Sequence, residues 1–167
     1  FQKAEDKKVF AGATALIQAL DNLPESHTTF ISGSPRPMRK VLEKKLELDG
    51  VHIDSLTLKP NFSNALRGRF RALKEQVGYK LPALLEQRLL IEPGAKEICF
   101  GDDAEADAFI YSLYGDVLVG VISPNRLKRI MTLAGSYEDQ IDQALELYVE
   151  IKKRDERVNP IESIFIH

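Results

Sequence analysis

One cysteine, Cys99, is all the thiol this chain has, so no intramolecular disulfide can form and a reducing, cytoplasmic setting is the simpler expectation. Cys99 lies inside an apolar run and reads as a buried, inert thiol. No apolar stretch approaches the roughly 20 residues needed to cross a bilayer. The first residues, Phe1-Gln2-Lys3-Ala4-Glu5-Asp6, lack the apolar core of a signal peptide. No export or membrane-spanning signal is visible, which leaves peripheral membrane contact open. Repeats and low-complexity linkers are absent, and His27, His52 and His167 are scattered without metal-ligand or triad spacing. No charge of one sign dominates, since the formal net charge is −2 over 167 residues. With no aromatic-basic recognition motif either, nucleic acid is not an expected partner. What is there is 44% hydrophobic and 29% charged. That is enough chain for one core and too little for two, so residues 1–167 are expected to form a single domain whose oligomeric state the sequence does not reveal.

Helical and strand patterns alternate along the chain, which predicts an α/β layered architecture with a mainly parallel sheet. After Gly12, the residues Ala13, Leu16, Ile17 and Leu20 share one apolar helical face, and Asn22 with Pro24 stops that helix. Thr28 to Ser32 is a β-branched and aromatic strand pattern, ending in a tight polar turn at Gly33-Ser34-Pro35. Met38, Val41, Leu42 and Leu46 mark a second helix. A third helix is expected to open with Pro82 in its first turn, where a missing N–H costs nothing, and to lead into a buried strand at Ile98-Cys99-Phe100. Beyond it the pattern predicts a helix through Phe109 and Tyr111, a strand at Val117-Leu118-Val119, and a helix from Ser123-Pro124 whose inner face is Leu127, Ile130, Met131 and Ala134. Ile161 to Ile166 reads as a closing strand.

The most informative segment is Gly101-Asp102-Asp103-Ala104-Glu105-Ala106-Asp107, four carboxylates directly after a buried strand. Crowded carboxylates repel and are costly to desolvate together, so a cation is one explanation for them. Mg²⁺ suits the site because it takes one or two carboxylates and completes its shell with water and phosphate oxygens. The other explanation is an acidic loop in which Asp102 or Asp103 caps a helix beginning near Ala104.

Other polar residues fall where α/β folds place ligands, beyond the C-terminal ends of strands. Ser32, Gly33 and Ser34 form a small polar turn before a helix, suited to a phosphate oxygen and equally ordinary in any turn. Lys80, next to the expected helix start, could bring a fixed positive charge to an anion or to the acidic cluster, or simply be solvated. Between Lys59 and Lys80 lie Arg67, Arg69, Arg71 and Lys74 against a single acid, Glu75. With Phe62, Leu66 and Phe70 this stretch could guide an anionic or lipid-like substrate, or be a solvated connection docked by its aromatics. Arg67, Arg69 and Arg71 share a side only if the segment is extended.

The order of these motifs resembles the haloacid dehalogenase-like phosphohydrolases: Ser32 after an apolar strand, a lysine before a helix, then Gly101-Asp102 with Asp107. Within that superfamily it is most similar to the actin-patch-type phosphatidate phosphatase catalytic domains and their bacterial relatives. The further matches are Val9-Phe10-Ala11-Gly12 before the first helix, Ser32-Gly33-Ser34-Pro35, and Gly101 to Asp107 followed by Tyr111. The resemblance spans roughly residues 8 to 122 and implies a Rossmann-like three-layer sandwich with Mg²⁺ as cofactor. Its substrate would be a phosphorylated small molecule or lipid. Ser32 would hold a phosphate oxygen, Lys80 would neutralise the phosphoryl group, Asp102 would ligate Mg²⁺ and Asp107 would support the metal or its waters. Asp103 departs from relatives that often carry Ser there, and its role is open, although it sits among the metal-site carboxylates.

The superfamily's Asp-x-Asp, which supplies nucleophile and general acid, occurs nowhere in the chain. In the implied fold its strand lies centrally, between the strand ending at Ser32 and the one ending at Phe100, and omitting it would leave two buried edges unpaired. The expectation is therefore a phosphatase domain truncated at its N-terminus, with the nucleophile upstream of Phe1. The alternative is a non-catalytic phosphate- or lipid-binding module.

Overall fold

In the computed structural model, which describes residues 12–60, 69–154 and 158–167 and the side chains of its long central helix from Gln76 onward, the chain is mixed α/β. It contains six α-helices and two small parallel sheets among the described residues. It divides into two compact units, Phe1–Ser63 and Asn64–His167.

The first unit is a βαβ arrangement preceded by a helix. Helix α1 (Ala13–Asp21) begins after Gly12, which sits at φ 82°, a left-handed conformation that glycine adopts without strain. Strand β1 (Thr29–Pro35) pairs in parallel with β2 (Ser55–Lys59), and α2 (Arg39–Leu48) makes the crossover after a single 3-10 turn at Arg36–Met38. Polar side chains tie the pieces together. Gln18 Nε2 donates to the carbonyls of Asp49 and Gly50 at 3.0 Å each, joining α1 to the end of α2. Arg39 Nη2 donates to the Leu56 carbonyl at 2.7 Å, joining α2 to β2.

The second unit runs α3 (Arg69–Leu90), β3 (Glu97–Gly101), α4 (Asp107–Val119), α5 (Pro124–Leu133), α6 (Glu138–Lys153) and β4 (Ile161–Ile166). β3 and β4 pair in parallel, and their backbone bonding continues past Gly101, where His167 N donates to Gly101 O and Asp103 N to His167 O. The core belongs to the four helices. Val77, Leu81 and Leu85 of α3 pack with Ile110, Leu113, Tyr114 and Val117 of α4, Leu127 and Met131 of α5, and Ile141, Ala144 and Ile151 of α6. At about 25 cal/mol per Å² of apolar surface removed from water, this burial is the unit's dominant favourable term. One face of the β3–β4 pair remains apolar and exposed: Ile98, Phe100 and Phe165 are each about half-exposed, with the two phenyl rings stacked 5.3 Å apart.

Several boundaries correct the sequence reading. Pro82 does not open a helix but lies inside the 22-residue α3, where its missing N–H deprives the Gly78 carbonyl of its helical donor. Tertiary burial of both flanking turns outweighs that loss. Val117-Leu118-Val119 is the last turn of α4 rather than a strand; Gly120, at φ 79°, ends the helix, and Val117 and Leu118 are buried against the other helices. Gly33-Ser34-Pro35 is not a tight turn either. The strand continues to Pro35 across an irregularity in which Ser32 faces Leu58 and Pro35 faces Lys59. Helix α4 starts at Asp107, later than Ala104, and β2 and α6 are additional elements.

Candidate functional site

Of the residues that the sequence singled out in the second unit, Lys80, Asp102, Asp103 and Asp107 converge at the C-terminal end of β3. Lys80 lies in the middle of α3 and is 4% exposed. Its ammonium donates to Asp107 Oδ1 and, at 2.5 Å, to Glu105 Oε2. Asp107 opens α4, where its charge also suits the positive end of the helix dipole. It is buried, and its second oxygen, Oδ2, accepts from the backbone N–H of Asp102 at 3.1 Å. Both oxygens of Asp107 are thus engaged, one by a side-chain cation and one by the loop.

This arrangement requires glycine at position 101. A Cβ placed there would come within 2.5 Å of Asp107 Cβ, 2.9 Å of Ile166 Cδ1 and 3.0 Å of the Tyr111 ring. The loop then folds on itself, with Asp102 Oδ1 accepting from Ala104 N at 2.7 Å. Neither Asp102 nor Asp103 caps α4, because the N-cap position is Ala106 and no side chain bonds there. Asp102 and Asp103 are exposed.

Two phenols border the cluster. Tyr111 donates to the Phe100 carbonyl at 2.7 Å, and burial, followed by the charges of Asp107, Cys99 and Glu105, pushes its phenol up. Burial, with the charges of Glu105 and Asp107, also raises Tyr79, whose hydroxyl is buried with no hydrogen-bond partner among the described residues. At the other end of β3, the fully buried Arg88 donates to Glu97 Oε1 and to the Ala95 carbonyl, both at 2.9 Å. Tyr114 donates to the same Glu97 carboxylate. The strand that carries the site is therefore clamped at its start by an ion pair to a buried arginine. Cys99, in the middle of that strand, is buried, and desolvation with the Glu97 charge pushes its thiol up to about 12.

Among the described residues no three His, Cys, Asp or Glu side chains form a ready-made metal cage. The donor set fits Mg²⁺ in a narrower sense, because that ion accepts one or two carboxylates and keeps water or phosphate elsewhere. Asp102 and Asp103 are the exposed oxygen donors for it, whereas Asp107 is committed to Lys80 and to the Asp102 amide. Asp107 thus holds the loop in place.

Ser32, Gly33 and Ser34 belong to the first unit, where Ser34 N donates to Ser32 Oγ at 3.1 Å across the strand irregularity. Arg67 lies outside the described residues, and Arg69 and Arg71 are on the helical backbone of α3, so the extended alternation does not apply from Arg69 onward. Sequence reasoning missed that Glu105 is a partner of Lys80 and that Tyr79 is buried beside the acids. Nothing local announces a lysine 25 and 27 residues away from its carboxylates.

An open groove of about 450 Å³ between α4 and β4, lined by Tyr111, Asp116, Asn159 and Glu162 among others, contains neither Lys80 nor the three aspartates. No described helix is long and apolar enough to cross a membrane. No family model matches the chain, and neither a curated protein nor a solved structure matches it.

Proposed function

We propose that the chain is the larger part of a haloacid dehalogenase-like, Mg²⁺-dependent phosphohydrolase domain with a Rossmann-like three-layer sheet. It would act on phosphatidate or another anionic phosphomonoester, through an aspartyl-phosphate on a nucleophile supplied from outside these 167 residues. The observation that carries the reading is the buried Lys80–Asp107 pair at the C-terminal end of β3, bonded onward to the Asp102 amide. A buried cation beside exposed carboxylates at a strand's C-terminal end suits a transferring phosphoryl group and the ion that accompanies it. Two further observations support it. Among the described residues the strands form two-stranded parallel pairs, and parallel strands ordinarily sit in larger sheets covered on both faces. The β3–β4 pair also leaves Ile98, Phe100 and Phe165 uncovered, as a sheet missing neighbours would.

In this reading Lys80 supplies a positioned positive charge to the phosphoryl oxygens, and Asp107 fixes the lysine and the loop. Asp102, with Asp103 beside it, would hold Mg²⁺, which when bound neutralises charge on the phosphoryl group. Ser32, Gly33 and Ser34, in the first unit, would be suited to a phosphate oxygen through a hydroxyl and backbone N–H groups. Arg67, Arg69 and Arg71 would draw in an anionic substrate or a lipid surface. Water releases the phosphate from the aspartate in the second half-reaction.

The absence of any Asp-x-Asp favours a second reading, a phosphate- or lipid-binding module without turnover. Hydrolysis of a generic aryl phosphate by the full-length protein, with and without Mg²⁺, separates the two. Mg²⁺-dependent turnover is expected, and phosphate binding without turnover would establish the second.

A further inference from the structure

Lys80 is bonded to two carboxylates that differ in kind. Asp107 is 8% exposed and uses both oxygens, whereas Glu105 is 32% exposed and meets the ammonium through Oε2, from the turn before α4. The Lys80 side chain itself is 5% exposed. An anion therefore reaches the ammonium only when a covering group moves, and of its two carboxylate partners Glu105 is the one at the surface. Glu105 also adds to an already anionic cluster, in which four carboxylates, Asp102, Asp103, Glu105 and Asp107, are set against one ammonium. A phosphate approaching that loop meets repulsion until positive charge is added.

We propose that Glu105 is a positioning residue that occupies the phosphate's place on Lys80 and makes phosphate binding conditional on a divalent cation. With the cation on the Asp102–Asp103 side of the loop, a phosphate oxygen displaces the Glu105 carboxylate from Lys80, while Asp107 keeps hold of the lysine. Without it, the internal carboxylate wins. This rests on the phosphohydrolase reading of the same site and adds an order of binding, cation before phosphate.

The test is inorganic phosphate binding to the full-length protein, followed by calorimetry and phosphorus NMR, with and without Mg²⁺, for the parent, Glu105→Gln and Glu105→Asp. Glu105→Gln keeps the shape and removes the charge, and Glu105→Ala, checked by circular dichroism, serves if the amide itself bonds Lys80 too well. The parent is expected to bind phosphate only with Mg²⁺. Glu105→Gln or Glu105→Ala is expected to bind at least tenfold more tightly than the parent when Mg²⁺ is absent, and Glu105→Asp to retain the cation requirement. If both neutral variants keep the parent's full Mg²⁺ requirement, the role of Glu105 is overturned while the phosphate site stands. If the parent binds no phosphate even at saturating Mg²⁺, the phosphohydrolase reading falls and the role of Glu105 falls with it.

Discussion

Lys80, in the middle of α3, donates a hydrogen bond to Oδ1 of Asp107, the first residue of α4, and both side chains are buried. The pair joins the long helix to the loop that follows β3, and its other end holds the Asp102 amide. Desolvating two charges offsets most of their attraction, so the net stabilisation from the intact pair is small. Breaking it is another matter, since one charge is left buried alone.

Lys80→Ala should therefore lower stability by about 3–5 kcal/mol, read as a shift of the urea midpoint at constant m. Lys80→Met combined with Asp107→Asn should recover much of that loss. Turnover of an aryl phosphate by the full-length protein should fall about 10²-fold or more in Lys80→Ala, and stay low in the double variant. Activity returning together with stability would show that Lys80 acts only as a structural cation.

Asp102→Asn is expected to abolish Mg²⁺-dependent turnover in the full-length protein at saturating Mg²⁺. Stability should hold or rise slightly, because the exposed loop loses one of its mutually repelling carboxylates while the amide oxygen still accepts from Ala104 N. Unchanged turnover on a generic aryl phosphate would overturn the proposal that Asp102 holds Mg²⁺.

Gly101→Ala tests the geometry directly. Its Cβ would collide with the Asp107 Cβ at 2.5 Å, an atom next to the backbone of α4 that cannot swing aside. A loss of about 1–3 kcal/mol is the ordinary cost of such overpacking. Gly94→Ala is a useful contrast, since at φ 85° it meets no steric neighbour and suffers only backbone strain.

Cys99 gives a prediction with a definite pH direction. Its thiol is pushed up to about 12 by burial and by Glu97, so in the folded protein it stays protonated at pH 8 and should resist alkylation. In the unfolded chain the thiol ionises near 8.5. The stability contributed by the buried thiol is therefore complete below the unfolded value and declines as pH rises towards about 12. Cys99→Ala should flatten that decline, measured as urea midpoints between pH 7.5 and 10. Rapid labelling of the native thiol at pH 8 would contradict the burial.

The sequence by itself determined those elements whose signal is local. The apolar face of Ala13, Leu16, Ile17 and Leu20 after Gly12, the Ser123-Pro124 helix start and the closing run from Ile161 each depend on neighbours within a turn or two, and each appears where its pattern lies. Ser123 even accepts from Arg126 N as an N-cap should. What failed was ambiguous locally. Pro82 is compatible with a helix start until burial of Lys80, Leu81 and Leu85 makes one continuous helix more favourable, and Val117-Leu118-Val119 is a strand or a helical turn until the core of α5 and α6 claims it. The acidic loop was legible as a cluster of charge after a strand. Which carboxylate holds the lysine, and that Asp107 faces inward while Asp102 and Asp103 face solvent, depended on α3 crossing the end of β3, a relation between residues more than twenty positions apart. Only the tertiary structure decides such a pairing, because the burial that makes an ion pair selective does not exist until the chain has folded.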